Sequence, residues 1–410
     1  MPLRIPGRAD KLYGMRRGIV LLLYVAILVG EMSWSAVAPL LPSFAERFSL
    51  GDGRTGLILS VASLAILVVS IPAGAITRTL GARRLTVAAA ATMALGNVMI
   101  GLAPSYRLLL AGRAVFGLGL GMLWVGATSW LHDVAGEHRM RVLSMTSAVI
   151  GIGSLVGPSF AGLVGERAGL GAPFLLLAAA NAAVIVALGF GSSGASASQR
   201  GRDDEPSLAE MIRAAGGDDM IRASVALMLV ASLLWLTVYL LVPLRLDAEG
   251  WSSGGIGVAF SISSVIYAVV SWVVARRAER WATLGVAAAA TGSLAASLVV
   301  VVVDASVVGT IAFLMLAGIA TAVMIALTFP LGVAGPRHVS VALVGGLLNV
   351  AWALSGLAGP TLGGIAAEAV GDRTTFLLLG VISVGAAWWM RRARRRLPGA
   401  VRSAVSHRSP

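Results

Sequence analysis

Two side chains in this sequence could hold or move charge where water is scarce. Glu31 lies near the middle of GIVLLLYVAILVGEMSWSAVAPLLP, Gly18 to Pro42, an otherwise uncharged apolar run. At about 1.5 Å per residue the run is long enough to cross a hydrocarbon core roughly 30 Å thick, which leaves the carboxylate deep in the bilayer. Such a group costs from about 2.5 to on the order of 10 kcal/mol unless it faces an aqueous cavity or a partner, so a functional role is the first reading. The bland alternative is a protonated glutamate that hydrogen-bonds a neighbouring helix as packing. Arg113 sits in a second apolar run and needs a carboxylate, backbone carbonyls or water. Glu31 is the acid that lies well inside a span, which makes the two natural electrostatic neighbours. A nearby guanidinium favours the charged carboxylate and burial favours the neutral one. Exposure to one side and then the other would alternate these effects, as a proton-coupled exchanger requires, whereas a fixed structural pair would not.

Other chemistry is scarce. Cysteine is absent, which excludes disulfides and thiolate metal sites. His132 and His138 are six apart, not at a helical metal-ligand spacing, and His338 and His407 are isolated, so no metal site is expected. Gly117-x-Gly119-x-Gly121 mimics a nucleotide loop but lies within an apolar helix and follows no strand. No Walker motif is present, no resident cofactor is implied, and no intramembrane catalytic constellation accompanies Glu31, so an enzyme is not expected.

Aromatic side chains recur in the apolar segments: Trp34, Trp124, Trp235, Tyr239, Tyr267, Phe313 and Trp352. Trp124 and Gly117 share a helical face with Arg113; Trp235 and Tyr239 pair at i, i+4, and Asn349 with Trp352 at i, i+3. Together they could line an amphipathic pocket for a small molecule. Each alone could equally face lipid or fill a packing gap.

The elements that must position these residues are membrane helices. Hydrophobic residues make up 57% of the 410 and charged ones 12%, with mean hydropathy +0.88, far from the balance of a soluble globular chain. Apolar segments recur at roughly 17–41, 54–77, 85–103, 107–131, 142–164 and 172–190, then at 221–244, 253–275, 281–303, 305–336, 339–367 and 374–390. This predicts an all-α polytopic protein of twelve spans, with a first span too long to read as a cleaved leader. The net charge of +13 would suggest nucleic acid in a soluble protein, but here the basic residues sit in short segments between apolar runs. With both termini on the cytoplasmic side, the opposite face carries Arg47, Arg54, Arg107, Arg167, Arg245 and Arg373, and nearly all other basic residues lie inside. That bias predicts a multi-pass protein of the cell inner membrane with cytoplasmic termini.

The chain reads as two six-helix halves, 1–191 and 220–396, joined by a linker at 192–219 and followed by a tail at 397–410. The linker passes from Gly/Ser to an acidic and then a mixed stretch, and Pro206–Ala215 could form a short interfacial helix. Gly157-Pro158-Ser-Phe-Ala-Gly162 returns 202 residues later as Gly359-Pro360-Thr-Leu-Gly363-Gly364. Near the same offset Pro42 matches Pro243 and Gly117 matches Gly318. Parallel six-helix repeats with a site at the midplane are a known transporter plan.

Four local patterns give the chain a resemblance, over essentially its whole length, to the major facilitator superfamily. Gly74-Ala-Ile-Thr-Arg78-Thr-Leu-Gly81-Ala-Arg83-Arg84 resembles the family's signature loop after the second helix, with Arg78 where the family usually has Asp. The resemblance implies a cytoplasmic latch between the halves there, which Arg78 either abolishes or makes differently. Arg113-Ala-Val-Phe-Gly117-Leu-Gly119 is similar to the family's intramembrane arginine motif, and Pro39-Leu-Leu-Pro42 to the end of its first helix. Gly153-Ser-Leu-Val-Gly157-Pro158-Ser-Phe-Ala161-Gly162 resembles the fifth-helix signature of proton-coupled exporters, with Ala161 at a position that is usually glycine. Pro158 removes a backbone donor and the glycines permit close helix approach; because the element repeats at Gly359, Pro360 and Gly363, part of it is architectural. Asn97 and Asn181 fall in the third and sixth helices, peripheral in the family, and are set aside.

The resemblance implies a twelve-helix secondary transporter that exports small amphipathic or hydrophobic molecules in exchange for protons by alternating access. Glu31 would carry the proton, Arg113 tune it, and Gly157-Pro158 shape the fifth helix. An importer or facilitator of a polar metabolite, with Glu31 and Arg113 binding substrate, stays open, as does a non-transporting sensor. The expected partners are a small molecule and the lipid bilayer, with no nucleic acid and no obligate protein.

Overall fold

The computed structural model describes residues 8–135, 139–190, 218–334 and 341–396, and within these the regular structure is helical throughout. Linker residues 192–217 with the Pro206–Ala215 segment, the 397–410 tail, His138, His338 and His407 lie outside the described residues, and the last two expected linker residues, Asp218 and Asp219, cap and begin a helix. The helices are α1 (Arg8–Ser35), a 3₁₀ turn (Ala38–Leu40), α2 (Leu41–Phe48), α3 (Asp52–Leu80), α4 (Ala82–Gly101), α5 (Tyr106–Ala135), α6 (Arg139–Ala168) and α7 (Ala172–Phe190). After the linker come α8 (Asp219–Ala248), α9 (Ser253–Ala275), α10 (Ala278–Trp281), α11 (Leu284–Val303), α12 (Val307–Val333), α13 (Val341–Val370) and α14 (Asp372–Arg396). Twelve stretches among the described residues are long and apolar enough to cross a membrane, the first being Gly18–Phe48. This agrees with the expected twelve, α1, the 3₁₀ turn and α2 together making the first.

Local signals set the boundaries. Pro42 stands in the first turn of α2, where its missing N–H costs nothing, so Pro39 and Pro42 break the first span into α1, the turn and α2. Its counterpart Pro243 lies inside the unbroken α8, so the matched prolines do different things in the two repeats. Side-chain oxygens of Asp218, Ser252, Thr283 and Ser306 accept from the first-turn backbone N–H groups of α8, α9, α11 and α12. Gly81 separates α3 from α4 at φ 82°, a conformation that an L side chain resists.

By spatial contact the chain divides into two units: Met1–Val37 with Leu64–Arg200, and Ala38–Ser63 with Gly201–Pro410. In the first unit α4 and α5 share a seam of glycines. A Cβ on Gly112 would lie 3.0 Å from the backbone N of Ile100, one on Gly119 2.7 Å from the N of Met93, and one on Gly126 3.0 Å from the N of Thr86. Gly96 of α4 reciprocates, at 2.5 Å from the N of Phe116. The three α5 glycines are seven apart, so they fall on one edge of the helix and let two backbones touch where lipid supplies no hydrophobic drive. Within the run at 117–121, Gly119 belongs to this seam and Gly121 packs instead on Val69 and Ile66 of α3, so packing accounts for both.

In the second unit the first turns of α3 are built into the packing of the later helices. Glu368 of α13 accepts a hydrogen bond from Gly53 N at 3.1 Å, and Thr361 Oγ1 lies 2.8 Å from Ser60 Oγ. Gly56 faces the carbonyl of Pro360, and Gly364 the carbonyl of Asp52. Arg245 and Asp372 form an ion pair at 3.1 Å.

Candidate functional site

In the first unit α1 presents three closely spaced side chains, Glu31, Ser33 and Trp34, on different sides, because successive residues of a helix are about 100° apart. Glu31, 7% exposed, faces α6. Ser33, fully buried, accepts a hydrogen bond at 3.1 Å from Nδ2 of Asn97 on α4. Trp34, half-buried, lies beneath the guanidinium of Arg113, whose Cζ is 5.6 Å from its ring centroid and 5.3 Å from that of Phe116.

Arg113 is among the largest fully buried side chains of the protein. Two aromatic faces on a buried guanidinium attract it by about 0.5–2 kcal/mol each, more than they would in water, and this offsets part of its desolvation. The charge thus sits one aromatic ring away from α1, three residues along from Glu31. Trp124 lies farther along α5 and is half-buried.

The contact between α1 and α6 explains the fifth-span motif. A Cβ on Gly153 would lie 2.6 Å from Glu31 Cβ and 3.0 Å from Leu28 O; one on Gly157 would collide with Ser35 Oγ and lie 2.8 Å from Met32 O. Ser35 Oγ donates to Glu31 O at 2.9 Å and lies 3.3 Å from Gly153 O. Pro158 follows inside α6, Gly162 is buried one turn on, and Ala161 is fully buried. The second unit repeats the part of this arrangement around Gly157 and Pro158, while Ser355 stands at the position of Gly153 and its Oγ donates to Leu229 O at 3.1 Å. A Cβ on Gly359 would lie 2.8 Å from Leu233 O and one on Gly363 2.6 Å from Thr237 Cγ2, with Pro360 between them inside α13. Thr237 Oγ1 donates to Leu233 O at 2.8 Å and reaches Gly359 O at 3.1 Å. With the 202-residue offset Ser35 corresponds to Thr237 and Glu31 to Leu233. The close-packed helix pair is therefore architecture, used twice, and the carboxylate is the feature added in one copy.

The expected aromatic residues separate into groups. Trp235 and Tyr239 of α8 meet edge to face at 5.6 Å, Tyr267 of α9 stacks on Trp235 at 6.4 Å, and Tyr239 meets Phe260 at 5.0 Å. Asn349 is exposed and Trp352 half-buried on α13. Phe313 departs from the expectation: it is fully buried against Phe376 at 5.3 Å, because α12 turns it into the core. Among the signature-loop residues, Gly74 and Arg78 lie near the end of α3, and their side chains are outside the described residues. Arg83 donates to the carbonyls of Leu188 and Gly189, both at 3.1 Å, and so caps the last turn of α7; Arg84 is exposed. Sequence reasoning set Asn97 aside, yet it is fully buried and ties α4 to the residue beside Trp34. An asparagine in an apolar span was the signal, since a buried amide seeks a partner. Ser35 and Thr237 could have been found by applying the repeat offset to the first span of each half.

Twelve spans, an internal repeat and a buried acid on the first helix define a membrane transporter of the two-repeat kind. The model of the Major Facilitator Superfamily matches residues 23–343, and the chain belongs to that family. Among curated relatives it is 28% identical over 173 residues to a probable vesicular acetylcholine transporter-B of Danio rerio, 40% of this chain and 35% of that protein. It is 23% identical over 148 residues to the quinolone resistance protein NorA of Staphylococcus aureus, 36% of this chain and 38% of that one. The matched stretches thus span little more than a third of these relatives. Two solved structures share the fold. One is a bacterial homologue of the human lysosomal transporter Spinster in an inward-facing, occupied conformation, with TM-score 0.78 and 15% identity over 93% of this chain and 97% of that chain. The other is a D-xylose–proton symporter, with TM-score 0.70 and 14% identity over 91% and 96%.

Proposed function

We propose that this transporter exports small amphipathic or hydrophobic molecules in exchange for protons, with Glu31 as the proton-carrying group. The observation that carries the reading is the asymmetry of the repeat: the glycine-packed helix pair occurs twice, and only the first copy bears a carboxylate, where the second has Leu233. A buried acid that served packing alone would be replaceable by the leucine that the same architecture already accommodates. The partial likeness to a quinolone resistance protein supports the export reading.

In this reading Glu31 takes a proton from the side of higher proton activity and releases it on the other as its surroundings alternate between wet and dry. Arg113, held between Trp34 and Phe116, supplies the fixed positive charge that favours release. Trp34, Trp124, Trp235, Tyr239 and Tyr267 contact the substrate, joined by Trp352 and Asn349. Gly153, Gly157 and Pro158, together with Gly359 and Pro360 (the counterparts of the last two) and Gly363, let helices shift while backbones stay in contact. Both termini face the cytoplasm of the inner membrane, following the distribution of basic residues. The coupling ion is the proton, and no cofactor is invoked.

The test is substrate-dependent proton movement. Inverted membrane vesicles with an acidified lumen should accumulate lipophilic dyes or a quinolone and alkalinise as they do so. Dye movement that leaves the lumenal pH unchanged would contradict proton exchange.

A further inference from the structure

At one end of the second unit, an open depression of about 430 Å³ is lined by Gly285, Arg391, Arg394 and Arg395. Gly285 is the second residue of α11, so the depression opens onto a helix N-terminus, where first-turn N–H groups and the helix dipole favour an anion. Arg394 packs on that glycine so closely that a Cβ there would lie 2.7 Å from its Nη1. A basic bias on one side of the membrane requires arginines somewhere on that side. It does not require three of them to converge with a helix N-terminus on one depression.

A second observation identifies what reaches it. Leu377, Val381, Val384 and Trp388 of α14 are 50%, 69%, 57% and 60% exposed. Spaced by four, three and four residues, they form one stripe, and Arg391 and Arg395 continue it at the next two steps. From Leu377 to Trp388 the stripe rises about 16 Å, roughly the depth of one leaflet's hydrocarbon. An indole–guanidinium pair marks the boundary, with Arg392 over Trp388 at 5.4 Å. Tryptophan and arginine concentrate where hydrocarbon meets head groups. One helix face therefore offers an apolar track of leaflet depth, an interfacial ring and then a cationic depression.

We propose that this face holds a phospholipid with an anionic head group, its phosphate in the depression among Arg391, Arg394 and Arg395 and an acyl chain along Leu377, Val381 and Val384. The arginines select charge, and the stripe selects a lipid over a free phosphate.

Delipidated full-length protein in detergent should be offered phosphatidylglycerol or phosphatidylcholine of the same acyl chains, and the bound lipid counted by native mass spectrometry. Each arginine near an anionic head group is worth about fivefold, so wild type should retain phosphatidylglycerol over phosphatidylcholine by at least about tenfold. Arg391→Gln/Arg394→Gln/Arg395→Gln should fall to near parity while still retaining phosphatidylcholine, which reports a folded protein. Arg276→Gln/Arg277→Gln/Arg280→Gln, which removes the same charge from the second unit, should keep the preference. Equal loss in both triple variants would overturn the site in favour of a diffuse field. Displacement of phosphatidylglycerol by millimolar inorganic phosphate would assign the depression to a free anion and overturn the lipid.

Discussion

A methyl group on Gly153 would lie 2.6 Å from the Cβ of Glu31, so the helix that carries the candidate proton site and the helix that carries the fifth-span motif meet with no room for a side chain. The neighbours on that face are backbone atoms, Leu28 O and Met32 N, which cannot swing aside. Gly153→Ala is therefore expected to push the helices apart, cost about 1–3 kcal/mol and lower transport more than expression. Thermal unfolding in detergent, with transport in parallel, checks it. An alanine variant with wild-type melting and transport would show that α1 and α6 have room to spare.

Asn97 and Ser33 should behave as a coupled pair. Ser33→Ala leaves the Asn97 amide buried without its 3.1 Å partner, a loss of about 1–3 kcal/mol. Ser33→Ala/Asn97→Leu removes both polar groups and should recover part of that loss. A double-mutant cycle on melting temperature measures the coupling, and strictly additive losses would mean the hydrogen bond contributes nothing.

Arg83 is predicted to act as a helix cap. Arg83→Gln withdraws the donors that reach Leu188 O and Gly189 O and should destabilise α7 by about 0.5–2 kcal/mol. Faster amide hydrogen exchange confined to the last turn of α7 is the expected signature; uniform exchange across the protein would point elsewhere.

The absence of native cysteine makes a cross-linking test direct. Ser60 Oγ and Thr361 Oγ1 are 2.8 Å apart, so Ser60→Cys/Thr361→Cys should form a disulfide under mild oxidation. If transport requires this contact to open, oxidation stops it and reduction restores it. A cross-linked protein that transports at the wild-type rate would make the contact static.

The twelve spans were legible because hydrocarbon demands long apolar helices and their signal survives without neighbours, as Gly18–Phe48 and Asp219–Ala248 illustrate. Glu31 and Arg113 were legible for the complementary reason that charge stands out in an apolar run. Helix rotation was not. Period alone left open whether Phe313 faced a pathway or the core, and it packs on Phe376. The repeat offset located Gly359 and Gly363 but not what they touch, since Thr237 and Leu233 come from a helix over a hundred residues away. Asn97 was set aside because its helix is peripheral in the family, and its partner Ser33, 64 residues away, leaves no local pattern in the sequence.

The central claim is that Glu31 couples proton movement to export. The direct measurement is export of a panel of lipophilic cations and a quinolone from proteoliposomes under an imposed proton gradient, for wild type and Glu31→Gln, with binding measured on the same preparations. Wild type is expected to move at least one member when the gradient is applied, and Glu31→Gln to bind it but no longer respond to the gradient. Gradient-driven export by Glu31→Gln at the wild-type rate would contradict it.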